Sequence, residues 1–416
     1  MDALPDELIQ CILSYIQNAR DVASCTCVSK RWKNSIPFIR SLYFPRNSFD
    51  DYQSDAIVGR MILSSLDLEE LVIFCPFPVD SLSSWLDRSP GLRRLELRVD
   101  NLGEKRPSSS TTARSTQLDC ISRVSGLETL KLWGVLLTDP PRWCTLRRLH
   151  TLEIVGARLT NPSLSDLLRS CPNLVNLALL GCDGVRTVSL EMQQLQECRL
   201  DFYGLGDCSV SVNAPKLRWL EIQGADRIRL HHNQHLKHLS IANSAGKIIK
   251  VETGKLSSLE FLSMRGVQWC WDAVNSVLCS ATEVKHLVMK IEFSGDSDRL
   301  QPFPEVDLVE FFNAHKKITK FEIHGAMFAA LCQKNSLRNI DSGFAIPNLE
   351  EVLITVRSPL NAEQKMNTLE SLVKHSRRLR RMVIRVSQMK NCNESADKFF
   401  EEICRFKNRN RKVKIE

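Results

Sequence analysis

A six-residue phrase, apolar–x–x–apolar–x–apolar, returns thirteen times in this chain, and no other feature constrains the fold so tightly. It reads LEELVI from Leu68, LRRLEL from Leu92, LETLKL from Leu127 and LHTLEI from Leu149. It continues as LVNLAL from Leu174, LRWLEI from Leu217, LKHLSI from Leu236 and LEFLSM from Leu259. Looser copies start at Leu195, Val284, Ile318, Leu349 and Leu379. The mean step is about 26 residues, the length of one small supersecondary unit. The last two apolar positions of the phrase are two apart, so on a strand both point into a core shared with neighbouring copies. Copies stacked in this way build a curved parallel sheet, and each one buries its leucines only against the next.

The stretches between phrases bring the chain back to the next strand. SLSDLLRSCPNL places Leu164, Leu167 and Leu168 at helical spacing, and Val79, Leu82 and Leu86 repeat the pattern. Similar stripes are Val274, Val277 and Leu278; Leu308, Phe311 and Phe312; and Met366, Leu369, Leu372 and Val373. Pro90, Pro172, Pro215 and Pro347 each stand two residues before a leading apolar position, where proline stops a helix and favours extended entry. The steps ending at Leu195, Leu217, Leu236 and Leu259 are only 21, 22, 19 and 23 residues, too tight for a return helix. Extended chain is expected there. Polar insertions near 103–117 and 294–307 read as loops, as does RSPLNAEQ from Arg357. Period and phrase together resemble leucine-rich repeats.

The first forty-five residues do not carry the phrase. MDALPDELIQCILSYIQ has apolar residues almost all round: Leu4, Leu8, Ile12 and Ile16 line one helical face, with Ile9 and Leu13 beside it. Pro5 suits the first helical position, Asp6 and Glu7 complement the positive end of the helix, and Asp21 can cap a second helix. Trp32 and Ile36 can close a core from a third. Three such helices make a poor core alone, and the surplus apolar face asks for a partner.

The segment resembles an F-box. The matching residues are Leu4-Pro5, Glu7-Leu8, Ile12-Leu13, Asp21, Val22, Val28 and the end Lys30-Arg31-Trp32. With repeats behind it, the chain resembles plant-type F-box/leucine-rich-repeat proteins. The expected fold is α/β: a small three-helix F-box over 1–45, then a curved repeat solenoid with a parallel inner sheet over 46–416. The resemblance implies a non-catalytic substrate-recognition subunit of an SCF-type ubiquitin ligase. Leu4, Pro5, Leu8, Ile12, Leu13, Val22, Val28 and Trp32 would form or support the surface for a Skp-type adaptor, and through it cullin. The repeats would bind an unknown protein to be ubiquitylated. Alternatives are an interaction scaffold whose N-terminal helices merely cap the array, and a small-molecule or hormone co-receptor of the same architecture.

Composition narrows the classes further. No apolar run approaches the length of a membrane span, and Asp2, Asp6 and Glu7 stand where a secretory signal needs basic residues. A chain in the cytoplasm or nucleus is expected, without membrane partners. Net charge is +8, from 56 basic and 48 acidic residues, with no basic stripe interleaved with aromatics, so nucleic acid is not an expected ligand. Fifteen scattered cysteines without a C-x-x-C pair read as reduced, buried, small apolar residues. His231, His232, His235 and His238 are dense enough for a metal, but no Cys or carboxylate cluster completes a set, and no metal is expected. No G-x-S-x-G, H-E-x-x-H or phosphate-cradling loop occurs, and no nucleophile is paired with a base. Free positions of the phrase face away from the core; among them Trp133, Arg199, Trp219, Phe261, Arg265 and Lys290 are the candidates for substrate binding. The resemblance also implies an inositol polyphosphate as a ligand, since some plant relatives hold one, and Arg199, Arg265, Lys290 and Lys320 could give it a basic floor.

Overall fold

Each copy of the phrase leads into a strand from a buried aliphatic residue, leucine in all but Val284 and Ile318. In the computed structural model, which describes residues 4–46, 54–77, 79–99, 118–203, 207–293, 304–333, 343–386, 393–410 and 413–416, all thirteen leading residues from Leu68 to Leu379 are buried. The paired inward positions follow: Leu71 and Ile73, Leu130 and Leu132, Leu262 and Met264 are all sealed from water. In strands such as Thr129–Trp133 the residue between them stays partly open, whereas Glu96, Ser240, Ser263 and Val288 are buried at the same position. Burying a side chain of this size is worth about 1.5–3 kcal/mol, which is what offsets the ordering of each repeat.

The chain divides into two units, residues 1–203 and 204–416. In the first, the inner strands Ser41–Phe44, Glu70–Ile73, Arg94–Arg98, Thr129–Trp133, Thr151–Val155, Asn176–Cys182 and Glu197–Phe202 pair in parallel in chain order. Helices Ser54–Ser64, Val79–Asp87 and Asn161–Arg169 return the chain on the other side. Thr160 caps the last of these by accepting from Ser163 N, and Pro162 sits in its first turn.

In the second unit the inner strands are Trp219–Gln223, His238–Asn243, Phe261–Trp269, His286–Phe293, Lys320–His324, Glu351–Val356, Arg381–Val386 and Lys414–Ile415, again parallel and in order. Opposite them, where the steps are short, Ser209–Asn213, Arg227–His231 and Lys250–Glu252 form a second parallel sheet instead of helices. Longer steps restore helices Trp271–Ser280, Leu308–Ala314, Ala362–His375 and Asn393–Arg409.

Several expectations need correction. A further helix, Gly325–Gln333, follows its strand with no connecting loop. The supposed third loop is short, because a helix begins at Ala362 within RSPLNAEQ. Of the other two insertions, 103–117 and 294–303 lie outside the described residues, while Asp307 caps the helix from Leu308 by accepting from Val309 N and Glu310 N. The cysteines among the described residues are all free, but only seven are buried; Cys11, Cys27, Cys144, Cys279 and Cys404 are exposed. No described helix is long and apolar enough to cross a membrane.

Candidate functional site

Three helices precede the first strand: α1 (Asp6–Ser14), α2 (Ala19–Cys25) and α3 (Lys30–Ser35). Pro5 stands just before α1 with extended ψ rather than inside its first turn, and its carbonyl accepts from Leu8 N and Ile9 N. Asp21 lies within the first turn of α2; the capping side chain is Asn18, which accepts from Arg20 N at 3.0 Å. Ser29 caps α3. Arg31 closes the bundle. Its guanidinium donates to Asp6 Oδ1 at 2.6 and 3.0 Å and to the Leu4 carbonyl at 2.6 Å, tying α3 to the start of α1. The run Lys30-Arg31-Trp32 therefore has a structural reason beyond Trp32.

The apolar residues of α1 divide between two faces. Ile9 and Leu13 are buried with Ala19, Val22, Trp32 and Ile36. Leu8 (48% exposed), Ile12 (39%), Tyr15 (83%) and Val28 (49%) are open to solvent, and Pro5 is exposed beside them. The eight adaptor candidates thus split. Pro5, Leu8, Ile12 and Val28 lie on the surface, Leu4 is half-buried, and Leu13, Val22 and Trp32 are core residues that hold the others in place. Tyr15 was missed by sequence reasoning, although its position seven residues after Leu8 puts it on the same helical stripe.

The three-helix segment also meets the repeats. Tyr43 N donates to the Gln17 carbonyl at 2.7 Å, and Asn18 bridges Tyr43, so the α1–α2 turn occupies the outer edge of the strand Ser41–Phe44. An open sheet edge is a liability that a covering segment removes. The segment caps the array with its turn and keeps the apolar stripe of α1 free.

Of the recognition candidates, Trp133 and Arg199 belong to the first unit. Trp133 meets Phe74 edge-on at 5.1 Å, and Arg199 is exposed on Glu197–Phe202. In the second unit register builds a ladder. Trp219, His238, Phe261 and His286 occupy the same position on four neighbouring strands. Trp219 stacks on His238 with centroids 3.5 Å apart, His238 stacks on Phe261 at 4.2 Å, and Phe261 meets His286 edge to face. Trp219 Nε1 also donates to Glu221. These rings stabilise one another and remain partly exposed. The cations proposed for an anionic floor are engaged: Lys290 with Glu322 at 3.1 Å, Lys320 with Glu351 at 3.0 Å, and Arg265 with the Ser240 hydroxyl. The four dense histidines separate, His238 into the ladder, His231 onto the outer strand Arg227–His231 and His232 into a positive-φ turn. No group of three metal-ligating side chains stands together among the described residues.

A three-helix segment with an open apolar stripe, ahead of parallel-strand repeats, is the architecture of an F-box protein with leucine-rich repeats. The comparisons agree. Residues 1–44 match the F-box-like family, and residues 122–338 match the LRR domain of the At1g61320/AtMIF1 family. The F-box protein At1g10780 of Arabidopsis thaliana is 54% identical over 415 residues, covering 99% of this chain and 98% of that protein. The Arabidopsis F-box protein At4g09920 is 28% identical over half of this chain, which spans 66% of that relative. The chain belongs to the F-box proteins of the leucine-rich-repeat type. Such proteins act in general as non-catalytic substrate adaptors.

Proposed function

We propose that this protein is the substrate-recognition subunit of an SCF-type, cullin–RING ubiquitin ligase. The F-box docks on a Skp-type adaptor, and the repeats hold the protein to be ubiquitylated. The observation that carries the reading is the stripe Leu8–Ile12–Tyr15 along α1 and its C-cap, with Val28 in the turn before α3, all exposed around a core already filled by Ile9, Leu13, Val22 and Trp32. Amphipathic helices with such a spare face bury it in a partner's groove. The chain does no covalent chemistry; it raises the effective concentration of a substrate lysine near a conjugating enzyme carried by other subunits. Its place of action is the cytoplasm or the nucleus.

The ring ladder of the second unit, with Glu221, Arg265 and Lys290 around it, is the recognition face. Aromatic and arginine side chains dominate binding energy at such surfaces. A scaffold with no adaptor is the second reading, favoured by the capping contact between Gln17 and Tyr43. A pull-down with a purified Skp-type adaptor separates the two. The ligase reading expects capture by the wild type and loss in Pro5→Ala with Leu8→Ala. Failure of the wild type to bind, or unchanged binding by the double variant, leaves the scaffold. Affinity capture under proteasome inhibition then tests the face: Trp219→Ala with Phe261→Ala is expected to lose clients while keeping the adaptor.

A further inference from the structure

The second unit contains a cavity of about 320 Å³ that the adaptor role does not use. Its walls come from three consecutive repeats: Glu292 near the end of one strand, helix Gly325–Gln333 after the next, and Arg357 to Lys365 after the third. Gly325, at φ +48, lets that helix start directly against Glu292; a Cβ there would lie 2.6 Å from Glu292 Oε1. The lining is mostly apolar, from Ala326, Phe328, Ala329, Val356 and Leu360. Leu360 is 73% exposed at the edge.

One side chain does not fit an apolar wall. Lys365 lines the cavity and is only 4% exposed. Its ammonium donates to the carbonyls of Ser358, at 2.7 Å, and Leu360. Those dipoles satisfy two of three N–H donors and supply no counter-charge. Burial pushes the Lys365 pKa down, and among the described residues the titratable group acting on it is the Cys332 thiol. That thiol is itself pushed up to about 12 by burial, so it stays neutral. Glu292, the acid in the wall, is already held by Arg357 at 2.6 Å. A buried ammonium without a carboxylate costs stability, and buried charges in proteins are ordinarily paired. Cavities of about 300 Å³ and upward, apolar with a few convergent polar groups, are the usual form of a small-molecule site.

We propose that this cavity binds a small amphipathic carboxylate, its apolar body against Ala326, Phe328, Ala329 and Val356 and its carboxylate on Lys365. The ligand supplies a negative charge that no described residue gives Lys365, and it covers Leu360. The Glu292–Arg357 pair borders the site and selects against a second anionic group on the same ligand. The proposal needs neither an adaptor nor a client, so its failure would leave the ligase reading untouched.

The test is calorimetric titration of the full-length protein with 3-phenylpropionate and hexanoate, beside the matched alcohols 3-phenyl-1-propanol and 1-hexanol. Saturable binding of at least one acid, at least tenfold tighter than its alcohol, is the expected result. That ligand should also raise the thermal midpoint, by an amount that grows with the logarithm of its concentration above its Kd. Lys365→Met keeps the stem and removes the charge; it should fold and lose the preference for acid over alcohol. Ala329→Phe, which fills the cavity, should abolish binding of both. The proposal is overturned if neither acid binds, if acid and alcohol bind equally, or if either variant binds like the wild type.

Discussion

Replacing Leu8 and Ile12 by alanine separates the two roles of helix α1. Full burial of a leucine or isoleucine side chain is worth about 1.5–3 kcal/mol. In the free protein Leu8 and Ile12 still have 48% and 39% of their surface open, so a partner has somewhat less than half of each left to bury. Truncation should therefore cost about 1 kcal/mol per residue at the adaptor interface. The double variant then binds a Skp-type adaptor roughly thirty-fold more weakly. Folding should hardly change, because exposed substitutions usually stay within about 0.5 kcal/mol. Leu13→Ala is the control: that side chain, next to Ile12 in sequence, is buried on the inner face, and its loss should cost about 2–5 kcal/mol of stability. Adaptor affinity by calorimetry and stability by urea unfolding give the two numbers for each variant. If the double variant binds like the wild type, or unfolds as easily as Leu13→Ala, the division of α1 into an inner and an outer face is refuted.

Arg31→Ala should unlatch α3 from α1, costing about 1 kcal/mol in urea unfolding because the Arg31–Asp6 pair is partly exposed; unchanged stability would refute that role. Gly266 has φ +142, and a Cβ there would meet the Asn243 carbonyl oxygen at 2.3 Å, whereas Gly254 has open space around it. Gly266→Ala should thus destabilise by about 3 kcal/mol and Gly254→Ala by about 1 kcal/mol, and equal costs would show that the strand bulge does not need glycine. Burial, assisted by the charge of Lys290, lowers the His324 pKa from 6.5 to about 4. The unfolded chain takes up that proton first, so stability is fully present above pH 6.5 and is lost as pH falls towards 4. His324→Gln should flatten the urea midpoint over this window, and an unchanged pH profile would refute the assignment.

How far the sequence could be read depends on the range of the interaction concerned. The repeat is a short-range statement: two positions two apart share a strand face, and a step of 19 to 23 residues leaves no room for a helix. The burial of every leading residue and the second sheet at Ser209–Asn213 were therefore legible. Helix Gly325–Gln333 was not, because GAMFAALCQ has too few polar residues to mark a solvent face. Asn18 rather than Asp21 caps α2 because the helix starts three residues earlier than the charge pattern suggested.

The sequence by itself determined the period, the strand faces and the existence of an apolar surplus in the first helices. Only tertiary structure decided which of those apolar residues remain outside. Arg31 reaches back twenty-five residues to Asp6, and that long-range tie orients α1 so that Ile9 and Leu13 turn inward and Leu8 and Ile12 stay open. Register across strands likewise stacks Trp219 on His238 and His238 on Phe261, pairs 19 and 23 residues apart in sequence. Periodicity records what neighbours along a chain can do together, whereas burial, stacking and the unpaired charge of Lys365 arise from residues that only packing brings together.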